Sequence, residues 1–118
     1  MSVERGQIFR QAWIDGVKRH FPGEPKAGYI APWAETPEWE RQSAAAVFEL
    51  VKALLDATDG KAAKLSRIQK GQFVSAAFAA QIFRHIEDPK PAYTAGWDDL
   101  PEWQRATDAD IFEAVELA

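Results

Sequence analysis

The chain has 118 residues, of which 47% are hydrophobic and 27% charged, and this balance predicts one folded domain and excludes a disordered or fibrous chain. It contains no cysteine, which excludes disulfides, thiolate metal sites and a cysteine nucleophile. The net charge of −4 argues against a dedicated nucleic-acid binder, and neither a membrane-spanning run nor a signal-peptide pattern is present, so we expect a cytoplasmic protein.

Hydrophobic periodicity and end signals predict two helices in the first half of the chain. The first covers residues 3–21 and stops before Pro22, because proline disfavours the helical conformation in the residue that precedes it. A long loop follows. The second helix begins at Thr36, which we predict to be its N-cap, with Pro37 as the first helical residue, and it ends near Gly60.

Two further helices are predicted in the second half. Ser66 and Gln69 have the spacing of a capping box, which predicts that the third helix opens there and runs to about residue 86. A second long loop follows, and the fourth helix starts at Pro101 and runs to about residue 117. The fold class is therefore predicted to be mainly α.

The two halves of the chain repeat one another. Residues 25–51 and 89–115 are identical at 13 of 27 positions with a constant offset of 64, where chance would give about two. We therefore predict two tandem helix–long loop–helix units, 4–57 and 66–118, joined by a linker at 58–65 within a single domain of residues 1–118. A unit of this size rarely buries its apolar face alone, so the two should pack as a pseudo-two-fold four-helix domain.

Two corresponding stretches carry a family resemblance. They are WAETPEWER at 33–41 and WDDLPEWQR at 97–105, each followed by an aliphatic helix. This pattern of an aromatic residue, a short acidic linker, Pro-Glu, a basic residue and a helix resembles the ryanodine-receptor repeat (RyR) domains. Those domains occur as tandem helical pairs, with small stand-alone versions in bacteria and phages. The resemblance implies a recognition module without catalysis, and it allows a nucleotide-like ligand.

Repeated loop aromatics and nearby cations are the candidate binding residues. Flat aromatic faces stack on bases, and arginine and lysine suit an anionic group. The predicted ligand-binding set is Lys26, Tyr29, Trp33, Arg41, Lys90, Tyr93, Trp97 and Arg105. Two plainer interpretations stay open: the aromatic rings fasten the loops to the helices, and each arginine pairs with the glutamate three residues before it. Trp39 and Trp103 lie on apolar helical stripes and are predicted to be core.

Catalytic and metal-binding patterns are not found. The sequence contains no nucleophile–base–orienter set, no phosphate-binding glycine loop and no metal motif, so we expect no enzyme and no cofactor. The pairs Arg19-His20 and Arg84-His85 recur at predicted helix ends, where interaction with the helix dipole explains them more simply than a two-histidine metal site.

Two functions stay open at this point. The first is a module that binds a small anionic or nucleotide-like ligand between its two repeats. The second is a protein–protein interaction module, a homodimer or an adaptor, that uses exposed aromatic loops, because five Trp and seven Phe exceed what one small core needs. Neither interpretation includes a membrane or a nucleic acid as a partner.

Overall fold

The computed structural model describes residues 3–118, and within that range it contains four α-helices and no strand. They are α1 (Gly6–His20), α2 (Glu38–Ala57), α3 (Arg67–His85) and α4 (Glu102–Glu116). Loop 1 (residues 21–37) and loop 2 (residues 86–101) each contain two short 3₁₀ turns. The prediction of a mainly α fold is confirmed. None of the helices described is long and apolar enough to cross a membrane.

One predicted helix start is confirmed and one is wrong. At α3, the Gln69 amide donates to the Ser66 hydroxyl at 3.1 Å and the Ser66 amide donates to the Gln69 side chain at 3.0 Å, which completes the capping box. At α2, the N-cap is Pro37 and not Thr36. The Thr36 hydroxyl instead donates to the carbonyl of Pro32 at 3.1 Å, so its side chain closes the preceding turn rather than capping the helix.

The centre of the core is built from corresponding positions of α2 and α4. Their deepest apolar residues have at most 1% of their surface exposed, and these are Val47, Phe48, Val51, Ile111, Phe112 and Val115. Each such side chain contributes about 1.5–3 kcal/mol when fully buried. α1 and α3 complete the core with the fully buried Val17 and Val74, and the rings of Phe9 and Phe78 stack with centroids 5.4 Å apart. Leu50 has helical spacing with Val47 and Leu54, which predicts that it is buried with them, but it is 43% exposed.

The local structure of the first repeat recurs in the second. The hydroxyls of Ser43 and Thr107 donate to the carbonyls of the tryptophans four residues earlier, at 2.8 and 2.7 Å. Gly6, the first residue of α1, lies against Trp33, and a Cβ added there would be 2.9 Å from Cη2 of that ring. Gly71, in the first part of α3, lies against Trp97 in the same way, with a distance of 2.5 Å. These shared contacts agree with the sequence repeat, whereas an overall two-fold rotation between the halves stays a prediction.

An ionic network joins α4 to α1 and α3. Asp110 of α4 accepts from Arg19 at 3.0 Å, from His20 at 2.8 Å and from Arg67 at 2.8 Å. Lys70, only 5% exposed, pairs with Glu116 of α4 at 2.8 Å. The basic residues at the start of α3 therefore fasten that helix to the acidic fourth helix.

Candidate functional site

Loop 1 is held against α1 by one buried arginine. Nε and Nη2 of Arg10 donate to the carbonyl of Ala31 at 3.0 and 2.8 Å, and Nη2 also donates to the carbonyl of Gly28 at 3.2 Å. Nη1 donates to the Glu40 carboxylate at 3.4 Å. Burial lowers the pKa of Arg10 and raises the pKa of Glu40, and the attraction between the two charges partly offsets both shifts. Because the guanidinium of Arg10 donates to other residues of the chain, its role is to hold loop 1 in place.

An aromatic cluster fastens the first half of loop 1. The indole N–H of Trp13 donates to the carbonyl of Tyr29 at 2.8 Å. The Tyr29 ring lies 6.0 Å from Phe21 and 5.9 Å from Trp103 of α4, and the Lys26 ammonium lies 6.0 Å from the Tyr29 ring centre. Tyr29 and Trp103 are both half-buried. Tyr29 therefore joins loop 1 to α4, as the fastening interpretation of the loop aromatics describes.

A groove lies between α1 and the second half of loop 1. Its volume is about 520 Å³, within the range typical of small-molecule sites. The residues that line it are Gln7, Ile8, Arg10, Gln11, Ile14, Lys18, Ile30, Pro32 and Trp33. Of the eight predicted ligand-binding residues, Trp33 alone lines this groove. The walls combine an indole and three isoleucines with two amides and an exposed lysine, so they can hold a flat apolar ring and a polar or anionic group together.

The corresponding residues of loop 2 are placed differently. Tyr93 is 58% exposed, whereas its counterpart in loop 1 is half-buried. Lys90 is exposed as well. Trp97 is half-buried against Gly71 at the start of α3. Loop 2 thus repeats the tryptophan contact with the neighbouring helix but leaves its tyrosine in solvent.

The two repeated arginines have different partners. Arg41 donates to the Glu38 carboxylate at 2.8 Å, which is the helical pair that the plainer interpretation expected. Arg105 donates instead to the carbonyls of Leu100 at 3.0 Å and Asp98 at 2.7 Å, and its guanidinium lies 5.7 Å from the centre of the Trp97 ring. The expected pairing of Arg105 with the glutamate three residues earlier is therefore wrong, because its side chain turns back to hold loop 2.

Tyr29 and Trp33 belong to loop 1, which packs against α1, whereas Tyr93 and Trp97 belong to loop 2, which packs against α3. The two pairs of aromatic residues therefore lie on different helices. A second cavity, of about 410 Å³, lies between the end of α1 and the start of α4. It is lined by His20, Pro22, Pro101, Glu102, Trp103 and Ala106, and so by none of the eight predicted residues. That both aromatic pairs line one groove stays a prediction.

The sequence reasoning missed most residues of the groove because it searched for what the repeats share. Arg10, Gln11 and Lys18 correspond to Ser75, Ala76 and Phe83 in the second repeat. A comparison of the differences between the repeats would have singled them out.

The repeated Arg-His pairs are not equivalent either. His20 binds Asp110, whereas Nε2 of His85 is buried without a hydrogen-bond partner among residues 3–118. Burial alone would raise the pKa of Asp110, but hydrogen bonds and charge from His20 and Arg67 outweigh it and lower that pKa. No group of three or more His, Cys, Asp or Glu within the described range is placed to hold a metal ion.

The groove can bind a molecule through an aromatic wall, side-chain amides and one cation. Comparisons with protein-family models, with curated proteins and with solved structures found no match. The function is therefore argued from the residues of the groove and from the resemblance of the two tryptophan-containing stretches.

Proposed function

We propose that this chain is a non-enzymatic recognition module of the RyR-domain type, and that it binds a small anionic ligand with a flat ring in the groove between α1 and loop 1. The observation that carries the proposal is the lining of that groove, where Trp33 and exposed Lys18 border the same cavity of about 520 Å³. A nucleotide-like molecule has both chemical parts that these two residues recognise.

The apolar side of the groove supports the ring of such a ligand. Trp33 offers an indole surface, and Ile8, Ile14 and Ile30 complete the wall. Stacking of a base on an aromatic side chain contributes about 1–3 kcal/mol. Because Trp33 also rests on Gly6 and loop 1 is held by Arg10, the ring is fixed before the ligand arrives. A fixed wall lowers the entropy that binding must remove.

The polar side supports an anionic group. Lys18 is exposed and takes part in none of the ion pairs formed within residues 3–118. Gln7, one turn before Gln11 on α1, adds a side-chain amide that can donate to phosphate or carboxylate oxygens, whereas the Gln11 amide already donates to the Asp15 carboxylate at 2.9 Å. Arg10, by contrast, already donates to loop 1 and Glu40, so Lys18 supplies the positive charge for the ligand.

A thermal-shift screen of nucleoside phosphates and aromatic carboxylates, followed by calorimetric titration, tests the proposal. A ligand at 100 times its dissociation constant raises the free energy of unfolding by about 2.7 kcal/mol. Trp33→Leu should weaken binding about 5- to 100-fold through lost stacking. Lys18→Gln should weaken it selectively for the anionic compounds of the panel.

Trp97→Leu is the matched control, because Trp97 has the same contact with a helix glycine in the second repeat but does not line the groove. It should destabilise the fold to a similar extent and leave binding unchanged. A screen without any stabilising compound would contradict the proposal, and so would a compound whose affinity is unaffected by Trp33→Leu and Lys18→Gln together.

A protein–protein interaction role is the second candidate. It is favoured by Tyr93 and Phe83 in the second repeat, which are 58% and 61% exposed. Aromatic residues are enriched at protein interfaces and cost little when ordered there. This surface lies on the other repeat from the groove, so the two roles can be tested separately.

A further inference from the structure

Between Arg67 and Arg84, which are both exposed, the solvent-facing side of α3 is uncharged and carries four apolar residues and two glutamines. Ile68 and Phe83, near its two ends, are 62% and 61% exposed. Exposed Ala76 and Ala80 lie between them on the same face, together with Gln72. No charged residue occurs from position 71 to position 83. A helix face turned to solvent normally carries charged and polar side chains, so this one requires an explanation.

The first repeat provides the reference for this face. The positions of α1 that correspond to Gln72, Ala76, Ala80 and Phe83 are Gln7, Gln11, Asp15 and Lys18, and all four are exposed. The first of these positions is glutamine in both repeats, whereas the other three are polar or charged on α1 and apolar on α3. Since both faces are open to solvent in the isolated chain, hydration does not account for the difference. An exposed apolar surface on one repeat marks a contact with another molecule.

We infer that the molecule covering this face is a second copy of the chain, with the two α3 helices antiparallel and Ala76 near the two-fold axis. A two-fold interface joins identical patches, so the patch must fit itself. In this arrangement residue 76 − n of one copy faces residue 76 + n of the other. Phe83 then lies beside Ile68 of the other copy, while the small side chains at the centre let the helices approach closely.

The charges beyond the two ends of the face favour the same arrangement. Lys61 and Lys64 precede α3, Glu87 and Asp88 follow it, and all four are exposed. None of the four takes part in the ion pairs formed within residues 3–118. An antiparallel pair brings the segment that precedes α3 in one copy close to the segment that follows α3 in the other, which places these lysines near these acids. A parallel pair would place like charges together, which opposes association.

The two copies must bury enough surface to stay together. A specific interface typically buries about 800 Å² on each partner. α3 has 19 residues and is therefore about 28 Å long. Tyr93, also exposed, belongs to the loop that packs against α3 and can widen the contact surface. The apolar residues of the face favour association of two copies. The opposite charges beyond its two ends favour the antiparallel register of the two α3 helices.

Sedimentation equilibrium of the full chain from micromolar to millimolar concentration tests the inference. We expect a monomer–dimer equilibrium in the native chain. Ala76→Arg should place two like charges at the axis and give a monomer at every concentration, whereas Gln11→Arg, the same new residue at the corresponding position of α1, should leave the dimer unchanged. Circular dichroism should show both variants folded, because both positions are exposed. A monomeric native chain, or a dimer that survives Ala76→Arg, would overturn the inference.

Charge reversal tests the antiparallel register. Lys64→Glu and Asp88→Lys should each weaken the dimer about 3- to 10-fold, because a symmetric dimer contains each pair twice. The double variant should restore the native affinity. If it weakens the dimer as much as the two single changes combined, the antiparallel register is wrong. Ligand binding in the groove should be unaffected by Ala76→Arg, Lys64→Glu and Asp88→Lys, none of which lies in the groove, so a failure here is distinguishable from a failure of the proposed function.

Discussion

Loop 1 and loop 2 have closely related sequences, but different helices hold them in place. Loop 1 is anchored from α1 by Arg10 and Trp13, whose side chains donate to loop carbonyls. The corresponding residues of α3 are Ser75 and Phe78, and loop 2 is held instead from α4 by Arg105. Each loop nevertheless forms a pair of 3₁₀ turns at the same relative positions. The shared motif therefore specifies the turns, whereas residues outside it decide how firmly each loop is fixed.

The difference matters for function. A loop fixed by a buried arginine gives a preformed groove beside Trp33, and loop 2, which has no such arginine in the neighbouring helix, leaves Tyr93 in solvent. Preformed walls suit a small ligand, and exposed apolar surface suits a protein partner. The proposed roles follow this difference, with a ligand at the first repeat and another chain at the second.

The largest effect in this comparison is expected at Arg10. Arg10→Met keeps the apolar part of the side chain but removes the donors to Ala31 and Gly28 and leaves Glu40 half-buried without its partner. We expect a loss of about 2–4 kcal/mol in the free energy of unfolding, measured by urea denaturation.

The matched control is Ser75→Ala, at the corresponding position of α3. Ser75 is half-buried, and its hydroxyl donates no hydrogen bond that holds loop 2, so the change should cost less than about 1 kcal/mol. Equal losses in the two variants would show that the loops are anchored alike and would contradict the comparison.

The next effect concerns the glycines under the two tryptophans. At Gly6 an added Cβ would lie 2.7 Å from the Ala45 amide nitrogen, which belongs to the backbone of α2. At Gly71 the closest atom belongs to the Trp97 ring, at 2.5 Å. We expect losses of about 1–3 kcal/mol for both alanine variants, larger for Gly6→Ala because a helix backbone yields less than a side chain.

Gly96→Ala provides the control for these variants. No atom lies within 4 Å of a Cβ built there, so its stability should stay within about 1 kcal/mol of the native value or rise slightly. A similar loss at Gly96 would show that loop conformation, not contact with the tryptophan, determines the cost.

Much of the fold was predictable because it depends on local signals. The Ser66–Gln69 capping box, the periodic apolar residues and the repeat together predicted four helices. Thr36 was misassigned because a hydroxyl before Pro37 fits both an N-cap and the turn that it actually closes. Leu50 was misassigned because helical spacing places it at the edge of the buried stripe of α2, where its side chain reaches solvent although Val47 and Val51 are buried.

The candidate site was less predictable because its key contacts are long-range. The hydrogen bonds of Arg10 span 18 and 21 residues, and no local pattern identifies which loop carbonyl a helix side chain will reach. Identity between repeats pointed to Tyr29, Tyr93 and Trp97, whereas the groove depends on residues that the second repeat has lost. Positions that are identical in the two repeats identify the shared scaffold. Positions that differ between the repeats identify the groove, which is formed by residues of the first repeat.

A smaller effect with a distinctive pH dependence is expected at Asp108 of α4, whose counterpart in the first repeat is Ala44. Burial raises the pKa of Asp108 well above its ordinary value. The unfolded chain then loses this proton near pH 4 while the folded chain retains it, so the native protein loses stability as pH rises above that value. Asp108→Ala should therefore raise the free energy of unfolding by about 1–2 kcal/mol at pH 7 and by less at pH 4.

Asp110, two residues further along α4, should show the opposite behaviour. Its pKa is lowered, so its ion pairs stabilise the fold above about pH 4, and this stability is lost as pH falls through the folded pKa. Asp110→Asn should be destabilising at pH 7 and less destabilising at pH 3. Thermal melts of both variants from pH 3 to pH 8 would check the signs, and parallel curves for the two would contradict the assignment of Asp108 as buried and neutral.

The smallest effect separates the two repeated arginines. Arg105→Ala removes two hydrogen bonds to loop 2 carbonyls and the contact with the Trp97 ring, and we expect a loss of about 1 kcal/mol. Arg41→Ala removes an exposed helical pair with Glu38, which stabilises a helix by about 0.3–0.5 kcal/mol.

The decisive measurement for this pair is local. Hydrogen exchange of the Leu100 amide, which donates to the carbonyl of Trp97, should become faster in Arg105→Ala, because the turn then loses the two side-chain hydrogen bonds to its carbonyls. The corresponding amide in loop 1, that of Thr36, should exchange at its native rate in Arg41→Ala, since Arg10 and Trp13 still hold the loop. Faster exchange of the Thr36 amide in Arg41→Ala would mean that the repeated arginine anchors both loops. The two loops would then be held alike, and the proposed difference in role between the repeats would lose its structural basis.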